Sequence, residues 1–145
     1  MTHTTIPHTF YLSLLEFLLN SKHHIVALST NYGLTPMQAM TLLLTRADEP
    51  RPMNGFCRMF NCDASNVTGI IDGLEQKGLV SRQEDPADRR VKQIHLEPAG
   101  QKLQTELVRE LSRDDQFLLA PLSEQEVRQF VHIIQKLSRA SETVH

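Results

Sequence analysis

Arg89 and Arg90 stand side by side in DPADRR, between two short runs with strand character, one beginning at Val80 and the other running from Val91 to Leu96. Ile94 and Leu96 alternate with polar residues, as in a half-buried strand. The connection is longer than a two-residue turn, so the tip projects. Two guanidiniums on a thin hairpin suit one chemistry in particular. Such a tip can enter the minor groove of duplex DNA, where narrow A·T-rich stretches concentrate negative potential. Arg82 and Lys92 add to the local positive charge. Asp88, beside the arginines, is better suited to hold a guanidinium than to meet a phosphate. Most charged turns of this kind are merely solvated, so the meaning of this one depends on what precedes it.

What precedes it is NCDASNVTGIIDGLEQKGLV. Val67, Ile70, Ile71 and Leu74 recur at i, i+3, i+4 and i+7, which predicts a helix with a single apolar stripe. Asp63 is placed to cap its start, and Gly78 to end it in a left-handed conformation. The face opposite the stripe carries Ser65, Gly69, Asp72 and Gln76, with Asn66 and Thr68 on its flanks. That face is small and polar. Gly69 and Gly73 each cost about 1 kcal/mol relative to alanine in a helix interior. Close approach of a bulky partner is one reason to keep them; neutral drift on a solvated face is the other reading. An α-helix about 10–12 Å across fits the DNA major groove, about 12 Å wide. Ser65, Asn66 and Thr68 near the helix start are suited to base edges or phosphates, aided by the positive end of the helix dipole. Asp72 is awkward beside phosphates; it would accept from a cytosine amino group or pair with an arginine.

Other elements must hold this pair in place. LTPMQAMTLLLTRA predicts a short helix, with Thr35 as N-cap, Pro36 in the first turn and Gln38 completing a capping box. DEPRPM reads as a loop, because Pro50 and Pro52 break both periods. A third short helix over about residues 53–60 offers Phe56, Met59 and Phe60 to the core. Short helix, turn, capped helix and basic hairpin together outline a winged helix-turn-helix, mainly α with a small β-hairpin wing and about six helices. The first helix, about residues 7–28, is apolar around most of its circumference. It is either a central core helix or one that meets a second subunit. After the wing, Pro98 opens a long helix with Leu103, Leu107 and Leu111, with Phe117, Leu118 and Leu119 near its end and Pro121 stopping it. Ser123 and Glu126 form a second capping box before the last helix, which carries Val127, Phe130, Val131, Ile133, Ile134 and Leu137.

The 145 residues suit a single domain, 40% hydrophobic and 22% charged, with a formal net charge of −2. These are globular values, and they exclude a chain basic throughout while saying nothing about local patches. No apolar run approaches the roughly 20 residues needed to span a bilayer. The start, MTHTTIPHTF, lacks the basic flank of a signal peptide. A soluble, cytoplasmic protein is expected. Cys57 and Cys62 are too few for a disulfide scaffold and lack the basic neighbours of a reactive thiolate, Arg58 apart, so packing is the expected role. His23 and His24 point about 100° apart on a helix and do not chelate one ion together; His95 lies on a wing strand. No metal site and no cofactor are expected. Phosphate-loop, zinc-protease and nucleophile-elbow motifs are absent, which argues against an enzyme.

CDASNVTGIIDGLEQKGLV followed by DPADRRVKQIHLEPAGQKL resembles the recognition helix, wing and following helix of the MarR family of transcriptional regulators. The match spans Cys62 to Leu103, and the flanking helices fit in order and length. The resemblance implies one MarR-like domain over residues 1–145. The winged lobe would cover about 34–97, with dimerisation helices at about 7–28 and 98–141 forming an intertwined helical interface. It implies a homodimer on double-stranded DNA, bound at an inverted repeat, most simply as a repressor. Ser65, Asn66, Thr68 and Gly69 fall at recognition-helix positions; Arg82, Asp88, Arg89 and Arg90 fall in the wing. Small aromatic or phenolic effectors are common in the family. The corresponding cavity here would be bordered by Phe17, Ile25, Leu28, Met40 and Leu44, each of which also reads as ordinary core. Gly69 and Gly73 stand where many relatives have arginine. That departure, with the acidic net charge, motivates a rival expectation: a winged-helix protein-interaction module that no longer binds DNA.

Overall fold

Local capping signals set most of the helix boundaries. The computed structural model describes residues 8–142, with only the backbone described at residues 8, 114–118 and 140–142. The elements in chain order are α1 (His8–Asn31), α2 (Pro36–Leu44), β1 (Arg51–Pro52), α3 (Met53–Phe60), α4 (Ala64–Gln76), β2 (Val80–Glu84), β3 (Lys92–Leu96), α5 (Pro98–Leu118) and α6 (Glu124–Glu142). Pro7, where the first helix was expected to start, and the side chains of Phe117 and Leu118 lie outside the described residues. None of the described helices is long and apolar enough to cross a membrane.

Thr35 caps α2 reciprocally: its hydroxyl accepts the Gln38 N–H at 3.2 Å, and Gln38 Oε1 accepts the Thr35 N–H at 3.0 Å. Ser123 and Glu126 repeat the device at α6. The Ser123 N–H and hydroxyl both donate to the Glu126 carboxylate and hold it below the usual carboxylate range. Gly78 closes α4 at φ +67°, and there the Leu79 N–H reaches the Leu74 carbonyl at 3.0 Å while the Gly78 N–H reaches Glu75 at 2.8 Å. This is a Schellman cap, and it turns the chain directly into the wing.

The sheet is antiparallel with strand order β1-β3-β2. In the hairpin, Val80 pairs with Leu96 and Glu84 with Lys92. The segment expected to be only a loop contributes the third strand: Arg51 pairs with Ile94 and Pro52 with Gln93. Proline lacks an N–H to give to a ladder, but an edge strand leaves one side unpaired, so Pro52 is tolerated there.

The chain divides into two compact units, one ending at Arg109 and one beginning at Glu110. The core of the first unit is Leu28, Leu34, Ala39, Leu42, Phe56, Val67, Ile71, Leu74, Leu79, Val80, Ile94, Leu96 and Leu107. The apolar stripe of α4 thus turns inward as its spacing predicts, Ile70 being only half-buried. Of the three core candidates on α3, Phe56 is fully buried, Phe60 half-buried and Met59 exposed. Phe56 also packs its ring 5.8 Å from Phe60, with the Arg51 guanidinium 5.9 Å from its centroid.

α2 ends at Leu44, earlier than its pattern suggests, because Thr45 turns extended at φ −83°, ψ 123°. The carbonyls at that end are met by a side chain from α5. Gln104 Nε2 donates to Leu42 O at 2.6 Å and to Thr45 O at 2.7 Å. Gln104 therefore ties α5 to the short helix that packs on α4. Gln104→Ala removes the amide donor, leaving Thr45 O without it and Leu42 O with only the Thr45 N–H at 3.4 Å, and should cost about 1–2 kcal/mol, measured as a shift in the urea midpoint without a change in slope. An unchanged midpoint would mean that water replaces the amide without cost.

Candidate nucleic-acid interface

Asp63 sets the start of α4. Its carboxylate accepts the Asn66 N–H and the Ser65 hydroxyl, each at 2.9 Å. Those two bonds, the backbone one first, hold the Asp63 carboxyl below its ordinary range. With its hydrogen given to Asp63, the Ser65 oxygen presents lone pairs outward. Ser65, Asn66, Thr68 and Gly69 are all exposed, and they form one continuous small, polar surface on the first two turns.

The two helix glycines separate in the structure. A Cβ at Gly69 would meet nothing within 4 Å. One at Gly73 would run into the amide of Gln38, with Cδ at 3.5 Å. Close approach is thus the reason for Gly73, but the partner is α2 of the same chain. Gly69→Ala should raise stability by about 1 kcal/mol, from helix propensity alone. Gly73→Ala should gain nothing, because Gln38 must leave its capping box to make room. Thermal melts of the two variants side by side check this, and equal gains would contradict it.

The wing tip is built by aspartates. Asp85 accepts the Ala87 N–H at 2.8 Å, and Asp88 accepts the Arg90 N–H at 3.0 Å. These are two Asx turns in succession. The Asp85 N–H closes the hairpin on Val91 O at 3.0 Å. Asp88, expected to hold a guanidinium, instead holds the backbone of Arg90. The nearest donor two residues on wins over a long, flexible side chain.

The four wing cations sort into two groups. Lys92 pairs with Glu84 at 2.9 Å across the hairpin. Arg82 is drawn back onto α4, pairing with Asp72 at 2.6 Å and with Glu75. Asp72, for which sequence left two partners open, is thus bound to an arginine. Arg89 and Arg90 are exposed and have no ion-pair partner among the described residues. Within the wing, free positive charge is therefore concentrated at the tip, although the chain carries a net −2. Arg82 Nη2 also lies 3.4 Å from Thr68 O, which places the wing along the same flank of α4 that exposes the polar residues.

The five residues expected to border an effector cavity all lie in the first unit. Leu28 is buried, Phe17, Ile25 and Met40 are half-buried, and Leu44 is exposed. An open depression of about 500 Å³ in the second unit, lined by Leu119, Leu122, Val127 and Arg128 among others, contains none of them. Cys57 and Cys62 are free and half-buried, and burial pushes the Cys62 thiol up, away from a reactive thiolate. No cluster of three or more histidine, cysteine or carboxylate side chains among the described residues could hold a metal.

Sequence comparison agrees with this geometry. A family model described as MarR family matches residues 32–91, the helix pair and most of the wing. The HTH-type transcriptional repressor MdtR of Bacillus subtilis (strain 168) is 31% identical over 111 residues, covering 77% of this chain and 72% of that protein. The chain belongs to the MarR family. It is a winged helix-turn-helix, DNA-binding transcriptional regulator and not an enzyme. A putative transcriptional regulatory protein for the hcr operon of Thauera aromatica is 27% identical over 112 residues, covering 77% of this chain and 68% of that one. The MarR-family fold extends over most of the chain. A MarR transcriptional regulator from Methanosarcina mazei Go1 superposes with a TM-score of 0.79 at 19% identity, covering 94% of this chain and 99% of that one.

Sequence reasoning missed three of the interacting residues. Glu75 and Gln104 carry contacts that join segments distant in sequence, and Gln38 was seen only as a cap. One signal was available: Asp72 and Glu75 sit three apart on a helix, so both carboxylates line one flank.

Proposed function

We propose that this MarR-family regulator acts as a homodimeric repressor on an inverted-repeat operator. The observation that carries the proposal is the shared flank. Exposed Ser65, Asn66, Thr68 and Gly69 lie beside a wing whose tip holds two unpaired arginines. α4 enters the major groove with its small polar start against the bases. The wing reaches the adjacent minor groove, with Arg90 inserted and Arg89 on the backbone. Gly69 brings α4 close to the base edges but supplies no side chain for readout, so the wing carries a large share of the affinity.

Dimerisation is supported by the apolar side chains the single chain leaves exposed: Phe10, Tyr11, Leu15, Leu18 and Leu19 on α1, and Val131, Ile133 and Ile134 on α6. Patches of large apolar residues at this density mark association surfaces. Two-fold symmetry then sets the half-sites about one helical turn, roughly 34–36 Å, apart. The repressor sign follows the name of the Bacillus relative, and the site of action is the cytoplasm. A small aromatic or phenolic effector bordered by Phe17, Ile25, Leu28, Met40 and Leu44 would act by changing the separation of the two winged lobes.

Selection of bound sequences from a random duplex pool tests the reading, together with sedimentation of the free protein. A palindromic consensus and a dimer are expected. A monomer recovering a single half-site would contradict the dimeric reading, and no duplex bound even at low salt would contradict the DNA-binding one. Repeating the selection with a panel of phenolic acids tests the effector.

A further inference from the structure

Arg82 makes an unusual set of contacts for a cation on a DNA-binding wing. Its guanidinium reaches Asp72 Oδ1 at 2.6 Å through Nη2 and Glu75 Oε2 through Nη1, with Thr68 O at 3.4 Å. Its own backbone N–H donates to Glu75 Oε1 at 2.9 Å. Glu75 thus holds β2 twice, once by main chain and once by side chain. The Arg82 side chain is only 23% exposed, against 51% for Asp72 and 31% for Glu75. An exposed two-group ion pair contributes little to structure. This one is a half-buried network in which one planar cation spans two carboxylates one turn apart and a helix carbonyl.

The arrangement has two consequences for DNA. The bonds to Glu75 set the roll of β2 on α4, and with it the direction in which the tip carrying Arg89 and Arg90 points. The guanidinium also offsets negative charge on the helix flank facing the duplex. Without it, Asp72 and Glu75 would be two carboxylates beside phosphates.

We propose that Arg82 is a positioning residue for DNA recognition: it fastens the wing to the recognition helix and screens Asp72 and Glu75, and it does not itself bind phosphate. This rests on the DNA-binding reading above, and it goes beyond the assignment of Arg82 as one more wing cation.

A mutant cycle separates the two roles. With the clamp, Arg82→Ala should weaken binding of the selected operator by about tenfold or more, in the range of losing a specific contact. In the Asp72→Asn/Glu75→Gln background, the same change should cost less than about threefold, because the repulsion it uncovers is gone. The slope of log K against log salt in that background should stay the same. A phosphate contact behaves in the opposite way. The Asn/Gln background would then free Arg82 to bind more tightly, and Arg82→Ala there would cost its full amount and reduce the salt slope by about one. That outcome overturns the proposal.

A second arm needs no DNA. Amide exchange in the free dimer should quicken at Arg82 and through the β2–β3 hairpin in Arg82→Ala, and to a lesser degree in Glu75→Gln, whose shape is conserved. Unchanged hairpin protection in either folded variant also overturns the clamp. If the unmodified protein binds no duplex while exchange still quickens, the DNA reading fails and the clamp stands.

Discussion

Gly100→Ala should lower stability by about 3 kcal/mol or more, a large fraction of the roughly 5–15 kcal/mol that holds a domain together. Gly100 is buried on the first turn of α5, where the helix comes down on the start of β2. A Cβ built there overlaps Leu79 O outright and lies 2.9 Å from Leu79 C and 3.3 Å from its Cα. The obstacle is backbone, so no rotamer change relieves it. The same Leu79 carbonyl accepts the Glu97 N–H at 3.0 Å, which pins the chain just before α5 begins. Relief therefore requires α5 and β2 to move apart, and Leu79, Val80 and Leu96, all buried, would lose packing together. At about 2–4 °C per kcal/mol for a chain of this size, the melting midpoint should fall by roughly 6–12 °C. Calorimetry of Gly100→Ala beside Gly69→Ala checks this: the first should fall and the second rise. Equal midpoints would mean that the close approach of α5 to Leu79 is absent in solution.

Arg90→Ala should weaken operator binding by about 1–3 kcal/mol, roughly five- to 150-fold, while leaving the melting midpoint where it was. The separation of the two effects follows from what Arg90 does in the free protein. Its backbone N–H completes the Asp88 turn, and alanine keeps that bond. Its guanidinium has no ion-pair partner among the described residues, so removing it breaks nothing. A minor-groove arginine earns its affinity from local groove shape as well as phosphate charge. The variant should therefore lose preference for A·T pairs outside the half-sites, in addition to losing affinity. Fluorescence anisotropy at two salt concentrations measures the first effect, and a repeated selection measures the second. Unchanged affinity would remove the wing from recognition.

Much of this site was legible because its determinants are local. Asp63, Ser65 and Asn66 form a cap within four residues, Thr35 and Gln38 form another, and Gly78 marks a left-handed turn; none needs a distant partner. The α4 stripe was legible for the same reason, since its 3.6-residue period is written along the chain. The failures are of another kind. β1 was read as loop because a two-residue strand containing Pro52 carries no period; only pairing with β3 defines it. Met59 was expected inside, yet it is exposed, because Phe56 alone fills the fully buried place on that short helix. Asp88 was assigned to a guanidinium, although a backbone amide two residues away competes better for it. Arg82 could be read as positive charge but not as spent charge, because its partners lie seven and ten residues away on another element. The apolar circumference of α1 fitted two readings equally. The single chain leaves Phe10 to Leu19 largely exposed, and the proposed dimer would bury them against a second copy.

Base-preference matrices for the unmodified protein, Asn66→Ala and Arg90→Ala, selected from one random duplex pool, test most directly whether α4 and the wing grip neighbouring grooves together. Asn66→Ala should relax preference at a symmetric pair of positions inside the half-sites. Arg90→Ala should leave those positions intact and relax the A·T-rich flanks outside them. Matrices that change at the same positions in both variants, or in neither, would contradict it.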